Sequence, residues 1–321
     1  MVQTSRQLNL PFTLPGPVLI ITGPTASGKS ACAFETARMN DGEIICADSM
    51  QIYKDMDIGT AKPSIQEREE IPHHLFDMTE PDKSFSVADY TELVKPVIAD
   101  ILSRDKLPIL CGGTGQYISA LINGISFPVI PFNADLRSEL EDEADIYGTD
   151  DLYMLLNGID PEAAKIISPN DRKRIIRALE VNILSGKTKS ELENASKAGG
   201  PQFEFLSFCI SHERQTLYNR INDRVDRMID EGLVDEVRYV RNKYSPLSKS
   251  ASQAIGYKEL PAYFSGAEDI ITAIDTIKQA TRNYAKRQLT WFRKIPSLIW
   301  LLDATPSDNA IAITEALKKY K

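Results

Sequence analysis

One octapeptide, Gly23-Pro24-Thr25-Ala26-Ser27-Gly28-Lys29-Ser30, restricts this chain more than any other feature. It lies between the apolar run Val18-Leu19-Ile20-Ile21-Thr22 and the helix-forming stretch Lys29–Met39. The spacing fits G-x-x-x-x-G-K-S, and a strand before it with a helix after it is the context that gives this motif meaning. Glycines let the backbone curl until successive N–H groups face an anion at the positive end of a helix. Lys29 adds a mobile positive charge, and Ser30 offers a hydroxyl ligand to Mg²⁺. A polyphosphate site follows, of the kind that ATP-binding proteins use.

Further runs repeat the pattern. Ile44-Ile45-Cys46-Ala47 ends on Asp48, and Ile109-Leu110-Cys111 ends on Gly112-Gly113-Thr114 before a predicted helix from Gly115 to Leu121. Phe203–Ile210 reads as another buried strand. Short apolar strands that stop at Gly or Asp and lead into a helix or loop predict an α/β fold, a parallel sheet covered by helices. The ligand crevice of such a sheet lies at the carboxyl ends of its strands. Asp48 at one of these ends reads as a Mg²⁺ partner, as a general base at the mouth of the site, or as a helix N-cap; spacing does not choose among them.

The composition changes after Phe127-Pro128-Val129-Ile130-Pro131: from Ala134 to Glu162 there are ten acidic residues and one base, Arg137. This acidic stretch reads as helical with a solvated face. The sign then reverses at Asn170-Asp171-Arg172-Lys173-Arg174-Ile175-Ile176-Arg177, and Gly199-Gly200-Pro201 punctuates the chain. The predicted organisation is a core over 17–129, an inserted mainly helical subdomain over 130–200, and the rest of the core over 201–321.

With a formal charge of −8 over 321 residues, the chain is no polybasic coat, so contact with a polyanion needs local patches. One is Lys278–Lys294, with six basic residues and no acidic one; Tyr284, Trp291 and Phe292 are interleaved. Lys278, Arg282, Lys286 and Lys294 recur at multiples of four and share a face if the helix is continuous. Basic groups neutralise phosphates and aromatic faces stack unpaired bases, so this segment predicts RNA binding. Arg172–Arg177 is a second patch. The four cysteines are isolated and the three histidines show no ligand spacing, which argues against a disulfide framework or a zinc site. His73 and His74 read as loop structure or channel hydrogen bonding, and His212 as structural. Without a spanning apolar run or a secretory leader in residues 1–16, the expectation is a soluble cytoplasmic protein with no membrane contact, and a monomer by default.

Several blocks together resemble the bacterial tRNA dimethylallyltransferases: Gly23–Ser30, Asp48-Ser49-Met50-Gln51-Ile52-Tyr53, Asp57-Ile58-Gly59-Thr60-Ala61-Lys62-Pro63, His73–Asp77, Gly112–Tyr117, Lys173–Glu180, Ala254-Ile255-Gly256-Tyr257-Lys258 and Lys286–Arg293. The similarity spans nearly the whole chain in order. It implies transfer of a dimethylallyl group from dimethylallyl diphosphate to the exocyclic amine of the adenosine beside the anticodon of tRNA. It also implies that Gly23–Ser30 hold the donor's diphosphate, with Lys29 among the catalytic groups and Ser30 on Mg²⁺. Asp48 would accept the amine's proton, and Thr114 would position the base or the leaving group. Arg220, Arg224 and Arg227 fall at i, i+4, i+7, opposite the apolar stripe Leu217, Ile221, Val225 and Met228. The resemblance makes Arg220 and Arg224 clamps on the diphosphate. It assigns contacts with the tRNA anticodon stem-loop to Asp48, Ser49, Met50, Gln51, Thr114, Arg137, Lys173, Arg174, Ile175, Ile176 and Arg177. The same role falls to Gln253, Ala254, Ile255, Gly256, Tyr257, Lys258, Lys286, Arg287, Gln288, Leu289, Thr290, Trp291, Phe292 and Arg293. Two departures from the family are Gln116, where an apolar residue is usual, and the lack of the zinc-finger extension of eukaryotic relatives, which favours the bacterial form.

Three rival readings share parts of this pattern. A P-loop small-molecule kinase uses only the loop and Asp48. An adenylate prenyltransferase shares the chemistry but needs neither the insertion nor the basic helix. A non-catalytic RNA-binding protein with a degenerate loop conflicts with an intact Lys29 and Ser30.

Overall fold

Aliphatic runs too short to be helices, each stopped by a turn-forming residue, pair into one six-stranded parallel sheet. The computed structural model describes residues 17–127, 133–197 and 199–320. The strands are β1 (Val18–Thr22), β2 (Gly42–Cys46), β3 (His73–His74), β4 (Leu107–Gly112), β5 (Phe205–Ser211) and β6 (Ile299–Leu302), in the spatial order β3-β2-β4-β1-β5-β6. Register aligns their ends: Thr22 pairs with Gly112 on one side and Cys209 on the other, and Cys46 pairs with Cys111. The residues that follow β1, β2, β4 and β5 therefore emerge along one edge. The parallel α/β sheet is as expected; β3 and β6, the two edge strands, were not foreseen.

The chain divides into a sheet unit and a helical unit, Leu121–Pro201. In the sheet unit the helices are α1 (Lys29–Met39), α2 (Ile65–Glu70), α3 (Val87–Ser103) and α4 (Gly115–Ile122), the last running into the helical unit. The helical unit continues with α5 (Ala134–Ile146), α6 (Thr149–Ile159), α7 (Pro161–Ile166), α8 (Arg172–Ser185) and α9 (Lys189–Lys197). After β5 come α10 (Arg214–Asp230), α11 (Leu233–Lys243), α12 (Leu260–Phe264), α13 (Ile270–Phe292) and α14 (Pro306–Tyr320). Two starts are capping boxes, Ser64 with Glu67 and Ser86 with Asp89, which satisfy N–H groups that a helix end would leave orphaned.

Alternation decides what the sheet buries. Leu19, Ile21, Ile44, Ile109, Phe208 and Ile210 form one apolar cluster with Cys32, Ala33 and Ala37 of α1 and with Ala310, Ile313 and Leu317 of α14. A second cluster joins Val225 and Met228 of α10, Leu233, Val237 and Val240 of α11 and Ala273 and Ile277 of α13 to Ile52, Tyr53 and Met56 beyond β2. It fixes α10 and α13 beside the strand ends.

The acidic stretch is helical, as α5, α6 and the start of α7. The composition break at residues 128–131 and the N-terminal residues 1–16 lie outside the described residues. In the helical unit Ile175 and Ile176 are buried among Leu140, Leu156, Ala163 and Leu179. Their side chains hold α8 to its neighbours. Arg172 pairs with Asp145 at 2.5 Å, Arg177 with the buried Glu180 at 2.9 Å, and Arg137 also with Glu180. Lys173, Arg174 and Arg177 are the exposed bases of this patch.

Candidate active site

The turn after β1 is held from several sides. Gly23 sits so close to β5 that a Cβ there would lie 2.2 Å from the Ile210 carbonyl, which only glycine permits. Arg220 Nε donates to the Ala26 carbonyl at 2.8 Å, Lys29 Nζ to the Pro24 carbonyl at 3.4 Å, and His212 Nε2 lies 3.0 Å from the Ser27 carbonyl. On the opposite side, Gln288 of α13 accepts the Thr25 N–H at 2.8 Å. With these carbonyls tied back, Thr25 of the loop and Lys29 and Ser30 at the start of α1 border open space.

That space is a cavity of about 230 Å³. Its polar wall includes Thr25, Lys29, Ser30, Asp48, Arg224 and Arg287; Met50, Val225, Met228, Leu233, Ile255 and Ile277 provide an apolar wall. Burial, reinforced by the positive Arg224 guanidinium, pulls the Lys29 ammonium below its ordinary value. Arg224 is lowered too, by burial before anything else, and Asp48 is the anion whose field opposes both shifts. Two desolvated cations that repel each other make a site that gains by taking up a polyanion. The Tyr284 hydroxyl, pushed up by burial and by the Asp48 charge, lies in the same wall.

Asp48 follows β2, where its carboxylate accepts the Met50 N–H at 3.0 Å. This bond closes a tight turn and leaves the second carboxylate oxygen for other partners. Thr114, beyond β4, accepts the Ser49 N–H at 2.9 Å and contacts Ser49 Oγ at 3.2 Å. Lys29, Ser30, Asp48 and Thr114 thus meet at one strand-end edge although up to 85 residues separate them.

Other expectations move. Arg220 does not line the cavity, and its Nε bonds the Ala26 carbonyl of the phosphate loop; Arg224, one turn on, lines the space together with Arg287. Gln51 donates both amide hydrogens to the Thr60 and Ala61 carbonyls, at 2.9 and 3.0 Å, and so ties down the loop beside it. Ala254, Tyr257, Gln288 and Phe292 are buried, and Ala254 and Gln288 line the cavity. Lys258, Lys286, Arg287, Thr290, Trp291 and Arg293 are exposed, as is Gln253, with Ile255 and Leu289 partly so. The basic helix is continuous only to Phe292, which leaves Lys294 beyond its end. His73 and His74 form the short edge strand, with Nε2 of His74 2.8 Å from Glu43, and His212 braces the loop.

A family model described as "IPP transferase" matches residues 51–295. The chain belongs to the IPP transferase family. It is 49% identical to a tRNA dimethylallyltransferase of Halothermothrix orenii over 88% of this chain and 86% of the relative, and 46% identical to one of Acetivibrio thermocellus over 94% and 96%. Among solved structures, it matches the full-length tRNA isopentenylpyrophosphate transferase of Bacillus halodurans at 40% identity, with a TM-score of 0.68 and coverage of 94% of this chain and 97% of that one. A eukaryotic dimethylallyltransferase acting on tRNA matches at 30% identity and a TM-score of 0.80, over 95% and 80%. Within this IPP transferase, Gln116 is exposed on α4, so a polar side chain there costs no packing.

Sequence reasoning missed the bracing residues. The signal was present in α13, whose buried stripe runs Ala273, Ile277, Thr281, Ala285, Gln288, Phe292. A glutamine on a core stripe must find hydrogen-bond partners there.

Proposed function

We propose that this enzyme transfers the dimethylallyl group of dimethylallyl diphosphate to the exocyclic amine of the adenosine next to the anticodon in tRNAs, releasing diphosphate. The observation that carries the reading is the cavity itself: two partly desolvated cations at a phosphate loop, an apolar wall, and a carboxylate between them. The diphosphate lies against Thr25–Ser30 and Arg224, and the five-carbon tail lies along Met228, Leu233 and Ile277. The amine nitrogen attacks the allylic carbon, the carbon–oxygen bond to diphosphate breaks, and Asp48 takes the proton that the nitrogen sheds. Negative charge grows on the leaving group, where fixed cations stabilise it most. The target base must first leave its stack, and the exposed bases of α13 hold the surrounding backbone.

Ser30 and Asp48 supply hydroxyl and carboxylate oxygens to one cavity, which suits Mg²⁺, an ion that prefers one or two protein oxygens together with phosphates and water. When bound, Mg²⁺ would neutralise charge on the diphosphate. Among the described residues no helix is long and apolar enough to cross a membrane, and a tRNA substrate supports a cytoplasmic reading.

A transfer assay with labelled dimethylallyl diphosphate and Mg²⁺ tests this, offering tRNA, AMP and a tRNA without the target adenosine in parallel. Label in intact tRNA alone is expected. Label in AMP would move the reading to an adenylate enzyme, and ATP consumption without transfer would move it to a kinase. Asp48→Ala should nearly abolish turnover while tRNA binding persists; turnover within a few-fold of wild type would remove Asp48 as the base.

A further inference from the structure

Gln288 sits in the basic segment read as an RNA contact, yet it is only 5% exposed and both ends of its amide are engaged. Its oxygen accepts the Thr25 N–H at 2.8 Å, and its nitrogen donates to the Gly113 carbonyl at 2.9 Å. Thr25 belongs to the phosphate loop after β1, and Gly113 to the turn after β4 that leads into Thr114. One carboxamide therefore ties α13 to the donor loop and to the turn beside Asp48. Gly113 is fitted to it: a Cβ at that position would lie 2.3 Å from Gln288 Nε2. A structural glutamine could have been replaced by leucine on this stripe; a carboxamide is needed where one N–H and one C=O must both be satisfied.

We infer that Gln288 is a positioning residue for the prenyl donor, which keeps the phosphate loop in its anion-ready shape before the diphosphate arrives. This inference rests on the proposed reaction only in placing the donor's diphosphate at that loop. The Thr25 N–H is held by protein, so the loop does not collapse onto its own carbonyls when empty, and binding does not have to order it. The chemistry predicts a loss in donor affinity, with RNA affinity spared.

The test measures inorganic diphosphate binding by calorimetry, donor KM and kcat, tRNA Kd in the absence of donor, and thermal stability, for Gln288→Leu and Gln288→Glu. Gln288→Glu keeps an acceptor for Thr25 but sets a negative charge against the Gly113 carbonyl and beside the diphosphate. Gly113→Ala breaks the same link from the other side and serves if a Gln288 variant does not fold. Diphosphate Kd and donor KM should rise roughly tenfold or more in each folded variant, the scale of one or two lost hydrogen bonds, with tRNA Kd within about twofold of wild type. A weakened tRNA Kd with unchanged donor terms would make Gln288 an RNA contact. Lowered stability with unchanged donor terms would make it packing alone, and either outcome overturns the inference. Wild-type protein that binds diphosphate but transfers no prenyl group would instead overturn the proposed reaction.

Discussion

Thr114 Oγ1 accepts the backbone N–H of Ser49 at 2.9 Å, so a residue at the end of β4 fixes the residue next to Asp48 at the end of β2. The two strands are already paired through Cys46 and Cys111, and the Thr114 N–H adds a bond to the Ala47 carbonyl at 3.2 Å. Thr114 thereby aims the carboxylate without touching it.

Thr114→Val keeps shape and removes that acceptor. Single-turnover transfer should slow roughly tenfold or more, the scale of an unsatisfied buried N–H, while diphosphate binding stays near wild type. Thr114→Ser should restore most of the rate. Slowing by Ser with a near wild-type rate for Val would point to lost methyl packing instead.

Glu236 of α11 holds the loop after β2 from outside. Its carboxylate accepts the N–H groups of Asp57, Ile58 and Gly59 at 2.9, 2.7 and 2.9 Å, and the Tyr257 hydroxyl at 2.7 Å. Glu236→Ala orphans four donors and should cost roughly 3 kcal/mol in a denaturant titration. Tyr257→Phe removes one bond and should cost about 1 kcal/mol, with tRNA affinity unchanged. A Tyr257→Phe protein of wild-type stability and impaired tRNA binding would return Tyr257 to the RNA surface.

The α/β sheet and the phosphate loop were legible because their signals are local. Val18–Ile21 is aliphatic throughout, and the octapeptide that begins at Gly23 has a single physical use. Asp48 and Thr114 were legible as strand ends, since a parallel sheet collects those ends at one edge. Gln288 and Glu236 were not, because each bonds backbone atoms far away in sequence, and nothing near Gln288 announces Thr25. The two-residue β3 gives no periodicity at all, and β6, an edge strand with Ile299 and Leu302 exposed, lacks the burial that marks the central strands. Arg220 and Arg224 share one helical face, and only the fold decides that one braces while the other faces the cavity.

Glu43 lies buried within β2, where Arg104 grips both its oxygens at 2.5 and 2.8 Å and His74 approaches at 2.8 Å. The Arg104 hydrogen bonds outweigh burial and hold this carboxyl down at about 2, against an ordinary 4.5. A carboxyl lowered by folding stabilises the native state fully above its ordinary value. That contribution is lost as pH falls from about 4.5 to about 2. Glu43→Gln should reduce stability at neutral pH by roughly 2–3 kcal/mol and flatten its dependence on pH across that window. Urea titrations at a series of acidic pH values read both effects. An unchanged slope would mean that other carboxyls govern acid unfolding.

Along α13 the bases are not equivalent. Lys278 is paired with Asp226 at 2.6 Å and Arg282 donates to Asn222 at 2.6 Å, whereas Lys286 and Arg293 are exposed, Lys286 lying 5.9 Å from the Tyr218 ring centre. A base already neutralised by a carboxylate releases few counterions when a phosphate approaches. Lys286→Gln combined with Arg293→Gln should weaken tRNA binding and lower the slope of log affinity against log salt by roughly 0.7–0.9 for each lost contact. Lys278→Gln should leave that slope within error, since the ammonium it removes serves Asp226. If instead the Lys278 variant flattens the slope and the double variant does not, the RNA backbone follows the N-terminal half of the helix, and the exposed charges beyond Lys286 are an ordinary solvated face.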